Sequence, residues 1–462
     1  MFARVIMLTA GLAVLVPARP VLANGAFPES DAVLLPADRP QQVGLATNFG
    51  LIISDDGGTS WQWTCERAET SMATAYARGA PPADRLFSLS LDVGLAFSDD
   101  DSCSWRRAGG VLATAIATDY FPDPTDPAHV LAIVRPQADA GMGAAAVHES
   151  TDGGESFAAA PLFVAGAGAE LLGVEIARAD PRVIYLALAA PGPHPMLARS
   201  ADAGATWAML DIEPSLGARR SRIIAVDPVD PDVIYLRVIG AGVELLAVSR
   251  DGGVSFATPI TLTGGALSAF ARLASGTVLV AGLMPGDGGL TTAGVAWRSD
   301  DGGRTFGDWA LNPVPRLRAL GERDGTLFLA GDNYMDGWAL AVSGDEGRTI
   351  QPIARYDQVS AVKACVAAVC QELCDEQAGR RIWAPEVCNP PPDGGVDAGP
   401  PTGSDGCGCG AAPPRGGAGI AVLLAALATA LRSAARRRRR GTGCSSPRWR
   451  RASRPACPCR CR

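Results

Sequence analysis

Between positions 331 and 338 the chain gathers Asp332, Asn333, Tyr334, Asp336 and Trp338, which puts two carboxylates, an amide, a phenol and an indole in one short loop. Amides and carboxylates hydrogen-bond hydroxyls or peptide N–H groups, and aromatic faces stack on sugar rings or apolar side chains, so this chemistry suits a glycan or a protein ligand. His194, in a Pro/Gly-rich loop at 190–197, is a second candidate, and the loops at 136–145 and 283–294 are long enough to share a binding face. Signatures of catalysis are missing. There is no Gly-x-Ser-x-Gly elbow, no His-Glu-x-x-His, no P-loop and no Gly-x-Gly-x-x-Gly opening a helix after a strand. His129, His148 and His194 are too few and too scattered to suggest a metal site, and no Asp-rich stretch matches the EF-hand loop, so neither metal nor cofactor is expected.

The elements that must hold such a loop are written as a repeat. SDDGGTSW from Ser54 returns as SDDDSCSW from Ser98, STDGGESF from Ser150, SADAGATW from Ser200, SRDGGVSF from Ser249, SDDGGRTF from Ser299 and SGDEGRTI from Ser343. The starts lie 44, 52, 50, 49, 50 and 44 residues apart, the mark of one supersecondary unit used seven times. In each copy the carboxylate of Asp56, Asp100, Asp152, Asp202, Asp251, Asp301 or Asp345 can accept backbone N–H groups of its own turn. A glycine then takes positive φ, and an aromatic residue starts the next strand facing a core. Two copies depart, with Ser102 in the glycine position and Ile350 in the aromatic one, and distorted turns are expected there.

A second phrase precedes several copies: Asp123-Pro124 to Pro127 before Val130, Asp180-Pro181 before Val183, and Asp227-Pro228 to Pro231 before Val233. Proline cannot sit in a central strand, so each phrase is a hairpin loop feeding a β-branched strand. A unit therefore reads strand, Asp-Pro loop, strand, variable loop, strand, Ser-x-Asp turn, strand, which is a four-stranded propeller blade. Because strands alternate direction, the Asp-Pro loops and Ser-x-Asp turns fall on one face. The variable loops and blade connections fall on the other, where a ligand is expected.

These motifs resemble the Asp-box, or bacterial neuraminidase repeat, of sialidases, the sortilin ectodomain and a photosystem assembly factor. The resemblance covers residues 27 to about 390 and implies an all-β fold, a seven-bladed β-propeller with the box between the third and fourth strands of each blade. Sialidase chemistry is not matched. It needs three arginines, a Tyr nucleophile with a Glu partner and an Asp acid, and the family's Arg-Ile-Pro phrase is missing; Tyr185 and Tyr235 occupy matching strand positions and read as core. The reading is a non-catalytic binding or scaffold module, and the alternative is a secreted sialidase-like glycoside hydrolase using the central pocket.

Residues 1–23 read as a signal peptide, with Arg4, an apolar run and Val21-Leu22-Ala23, the alternative being an uncleaved anchor. Residues 24–358 form the propeller, 359–388 a Cys-rich closure segment and 389–417 a disordered Pro/Gly/Asp linker. Residues 418–440, a short hydrophobic helix followed by an arginine cluster, with Cys407 and Cys409 just upstream, resemble a myxobacterial C-terminal sorting signal; a plain tail anchor is the other reading. Residues 441–462 read as a basic, Cys-rich, low-complexity tail that is expected to be disordered. The body from 24 to 431 carries 27 basic against 48 acidic side chains, near −21, which disfavours nucleic acid and anionic lipid as partners. A monomer at the cell surface, attached through its C-terminal segment or a lipid, follows from these features.

In an exported protein cysteines pair. Cys65 and Cys103, alone in the blades, suggest a disulfide between neighbouring blades, although one lies along a strand and the other in a turn, and two free thiols are the alternative. Cys365, Cys370, Cys374 and Cys388 lack the paired knuckles of a zinc ribbon, so two disulfides among themselves are expected, with connectivity open.

Overall fold

The computed structural model describes residues 28–69, 73–90, 93–136, 144–192, 194–286 and 292–390. Strands here are short and rich in Val, Leu, Ile and Ala, and many, such as Leu86–Ser90 and Gly50–Ser54, are buried along their whole length. Continuous burial, not alternation, is what a sheet shows when both faces are covered. Seven antiparallel sheets, each with four strands in chain order, supply that cover for one another; in blade 3 the strand Ser156–Phe157 pairs instead in parallel with Gly109–Gly110, and Phe163–Val164 is the fourth. The sheets run from Ser30–Leu34, Val43–Thr47, Gly50–Ser54 and Trp61–Thr64 in blade 1 to Ala319–Arg323, Thr326–Ala330, Leu340–Ser343 and Gln351–Ala354 in blade 7. The first strand of blade 1 packs on the first strand of blade 7, and the ring is closed. The chain is thus an all-β, seven-bladed propeller.

Convergence on the axis requires extra twist. Six of the seven first strands slip register by one residue, between Ser30 and Ala32, Ala73 and Ala75, Ala117 and Asp119, Leu171 and Gly173, Ile223 and Ala225, and Leu267 and Ala269. A bulge at this point sharpens the local twist and bends the strand.

All seven Ser-x-Asp turns share one hydrogen-bond set. In the first, Ser54 Oγ donates to Asp56 Oδ1 (2.8 Å) and accepts from Gly58 N (2.8 Å), while Ser60 donates through N to Oδ1 (2.9 Å) and through Oγ to Oδ2 (2.6 Å). The two departures are not distorted, contrary to expectation. Ser102 takes φ 72° and its N donates to Ser98 Oγ at 2.9 Å, as the glycines do, while its buried hydroxyl bonds Thr64 Oγ1 at 3.0 Å. The seventh turn keeps every bond despite Ile350, because the aspartate and hydroxyl residues, not the ring, make the turn. Asp-Pro loops and turns share one end of the blades: Gly153 N donates to Ala128 O (2.7 Å) and Gly252 N to Asp232 O (3.0 Å).

Consecutive blades are stapled by side chains reaching the next blade's backbone. Asp119 Oδ2 accepts Val174 N (3.0 Å), Glu175 Oε2 accepts Val226 N (2.8 Å) and Glu244 Oε2 accepts Leu267 N (2.7 Å). Tyr185 and Tyr235, fully buried as core residues, donate to Pro231 O (2.8 Å) and Gly302 O (3.2 Å).

The seam between blades 7 and 1 is built differently. After blade 7 the strand Val359–Val362 lies parallel against Trp61–Thr64 as a fifth strand of blade 1, covering its open edge. A helix then follows, Ala367–Gly379, and the cysteines correct both sequence expectations. Cys65 pairs with Cys370 and Cys103 with Cys365, while only Cys374 and Cys388 pair within the segment. Cys65 and Cys103 do not join each other; the added strand delivers a separate partner to each. Trp63, Trp383, Phe49, Tyr356 and Tyr334 form a chain of ring contacts, with centroids 4.9, 6.1, 5.1 and 6.1 Å apart in that order. The signal peptide, Cys407 and Cys409, nearly all of the linker, the hydrophobic run and the basic tail lie outside the described residues.

Candidate functional site

The loop at 331–338 joins the second and third strands of blade 7, on the end opposite the Ser-x-Asp turns. Its polar groups are spent on holding its shape. Asp332 Oδ1 accepts Tyr334 N and Met335 N, both at 3.0 Å. Asn333 is buried and its Oδ1 accepts Tyr356 N (3.0 Å). Asp336 Oδ2 accepts Arg316 N (2.8 Å) and Asp332 N (3.1 Å), and its Oδ1 pairs with the Arg316 guanidinium (3.1 Å). Trp338 is 7% exposed and packs over Gly331, where a Cβ would lie 2.5 Å from Cζ3 of the ring, so that glycine is required. What the loop presents to solvent is Tyr334, 43% exposed, and Met335, 49% exposed.

Beside it, a cleft of about 730 Å³ opens between blades 6 and 7, within the usual size range of ligand sites. One wall is the blade connection Leu311 to Arg316, rich in proline, and the other is Met335, Trp338, Ile350 and Pro352. Arg348, exposed on the seventh turn, reaches this cleft; Nη1 donates to Asp345 O (3.1 Å), and among the described residues no carboxylate pairs with it. The sequence singled out the loop by its composition, and neither Arg348 nor the connection stood out in it. A trace was present at position 350, where isoleucine stands in place of the ring that the other six turns carry, and Ile350 lines the cleft.

His194 lies elsewhere, in blade 4, with Nδ1 against Glu213 and Nε2 3.2 Å from Asp211 Oδ1, and the structure does not bring it to the 331–338 loop. The loops at 137–143 and 287–291 fall outside the described residues. On the first strands of blades 3 and 4 stand two more acids. Burial pushes the Asp119 carboxyl up to about 6 and that of Glu175 up to about 8, the latter raised further by Asp119. Among the described residues no cluster of His, Cys, Asp and Glu could hold a metal ion, and no helix is long and apolar enough to cross a membrane.

A seven-bladed propeller with a cleft between its last two blades is the class of molecule these features define. No protein-family model and no curated protein matches the chain. Among solved structures it is similar to a GH74 enzyme from Niastella koreensis, at 12% identity over 70% of this chain and 65% of that one, TM-score 0.38. It is similar to YCF48 from Cyanidioschyzon merolae, at 12% identity over 70% and 97%, TM-score 0.47. A puromycin-hydrolyzing peptidase from Mycobacterium tuberculosis gives 14% over 72% and 55%, TM-score 0.48. The chain spans about 65% of the length of the GH74 enzyme.

Proposed function

We propose that this protein is a non-catalytic binding or scaffold propeller, exported and displayed at the cell surface, and that the Ser-x-Asp turns are Asp-boxes whose task is architectural. The observation that carries the reading is the contrast between turns whose aspartates serve their own backbone and a cleft that stays open. Every turn aspartate is held by its own turn, whereas beside blade 7 an open cleft is lined from Arg348 on the seventh turn to Met335 in the 331–338 loop, where Tyr334 is exposed as well. A signal peptide at 1–23 and a sorting segment around Cys407 and Cys409 fit surface display. The full chain, purified from an oxidising host, is tested on glycan and peptide arrays; specific retention weakened by Met335→Asp supports the reading, and silence on both arrays overturns it in favour of a ligand-free spacer.

One observation favours a second reading, a glycoside hydrolase working from the central channel. Asp119 and Glu175 stand on neighbouring first strands with raised pKa values, as a general acid requires. Each, however, already accepts a backbone N–H from the next blade. Release of reducing sugar from a polysaccharide panel, abolished by Glu175→Gln, would establish this reading.

A further inference from the structure

We infer that the cleft between blades 6 and 7 takes an extended peptide segment carrying apolar side chains beside a carboxylate, and that Arg348 is the residue that receives the carboxylate. The inference rests on the binding-module reading and narrows its ligand. The walls set aliphatic and ring surfaces, Leu311, Val314, Met335, Trp338 and Ile350 among prolines, beside the polar side chains of Asn312, Arg316, Asp336 and Arg348. Recognition of a sugar demands several free, directional hydrogen-bond groups, because each hydroxyl stripped of water must find a partner. Here Asp336 is engaged by Arg316 and Asp332, and the amide left to a ligand is that of the exposed Asn312, which can pair with one peptide group.

What remains beside that amide is one cation. Arg316, the other arginine of the cleft, is neutralised by Asp336, and its Nε donates to Thr292 O (2.5 Å). Among the described residues Arg348 is bonded to the carbonyl of Asp345 and to no carboxylate, so an exposed, unpaired cation lines the cleft of a body that is strongly acidic elsewhere. A guanidinium forks onto a carboxylate through two parallel bonds, and an apolar surround strengthens the pair by excluding water. Aliphatic and ring surfaces with one unpaired cation and one amide thus complement a peptide bearing Asp, Glu or a free C-terminus among Leu-, Met- or Pro-like side chains.

The test uses the full chain, exported and purified, against an array of synthetic 12-residue peptides that carry one Asp in apolar surroundings and against the same peptides with Asn in its place. Binding of the Asp series is expected, at least about tenfold stronger than of the Asn series, and lost to the same degree in Arg348→Glu. Arg304→Glu, at the same position of the sixth turn but outside the cleft, is the control and should bind normally; circular dichroism reports that both variants are folded. Equal binding of the Asp and Asn series, or an unchanged Arg348→Glu, overturns the inference. Retention of glycans with no peptide bound overturns it as well while leaving the binding-module reading intact, and silence on both arrays removes the two together.

Discussion

The seams of this ring are held in two ways. Between blades 3, 4 and 5, Asp119 and Glu175 each reach across to one backbone N–H, and Tyr185 adds a hydroxyl bond; nothing covalent is needed beyond the chain itself. Between blades 7 and 1 the chain passes through residues 355–358 onto the edge of blade 1, whose own four strands lie some 300 residues earlier. There the chain adds a strand, a helix, a stack of rings and two disulfides that tie residues separated by 305 and 262 positions. The difference teaches that connectivity already confines consecutive blades, so one well-placed bond suffices. The closing seam must instead offset the entropy of bringing together the two ends of a long chain.

The largest test of this contrast removes the ring that joins clasp to propeller. Trp383 is buried against Trp63 and Phe49, and Trp383→Ala should cost about 3–5 kcal/mol in chemical denaturation. Loss below about 1 kcal/mol would mean the clasp is decoration. Next, Cys103→Ala with Cys365→Ala should cost about 2–4 kcal/mol and make residues 359–388 the first region to exchange amide hydrogen, read by mass spectrometry.

The opposite seams should show themselves through pH. A carboxyl whose pKa is raised in the folded state binds protons that the unfolded chain has released, so its contribution falls as pH rises from the unfolded value toward the folded one. For Glu175 that window runs from 4.5 to about 8, and for Asp119 from 3.8 to about 6. Stability measured by urea titration should therefore decline across it, and Glu175→Gln should flatten the decline, being about 1–2 kcal/mol more stable than the parent at pH 9 and nearly neutral at pH 5. An unchanged slope would show that the seam does not depend on this proton.

The smallest effect belongs to the turns. Asp152→Ala removes bonds to Ser150 and Ser156 in an exposed turn and should cost only about 1 kcal/mol. Their pH signature has the opposite sign. The hydroxyl and N–H of Ser60 hold Asp56 down at about 2, and Thr349 does the same for Asp345. That stabilisation is complete above the ordinary value of 3.8 and is lost as pH falls through about 2.

Much of the ring was legible because each blade repeats one local instruction. The turn uses atoms within seven residues of one another, so Ser54, Asp56, Gly58 and Ser60 announce their bonds by spacing alone. Even the two exceptions obeyed: Ser102 entered positive φ because its neighbours' hydrogen bonds outweighed the modest strain. The site was half legible. The 331–338 loop stood out by composition, yet composition cannot tell a carboxylate that waits for a ligand from one that already caps a backbone, and Asp332, Asn333 and Asp336 are of the second kind.

By itself, then, the sequence determined the number of blades, the order of their strands and which end carries the turns, since all of these follow from interactions between residues close in the chain. Only the tertiary structure decided which cysteines meet, that a strand near the end of the described chain lies beside blade 1, and that Arg348 shares a cleft with Met335. Those are encounters between residues that are distant along the chain or placed by neighbouring blades, and their outcome depends on how the closed ring sets each edge and loop against the next.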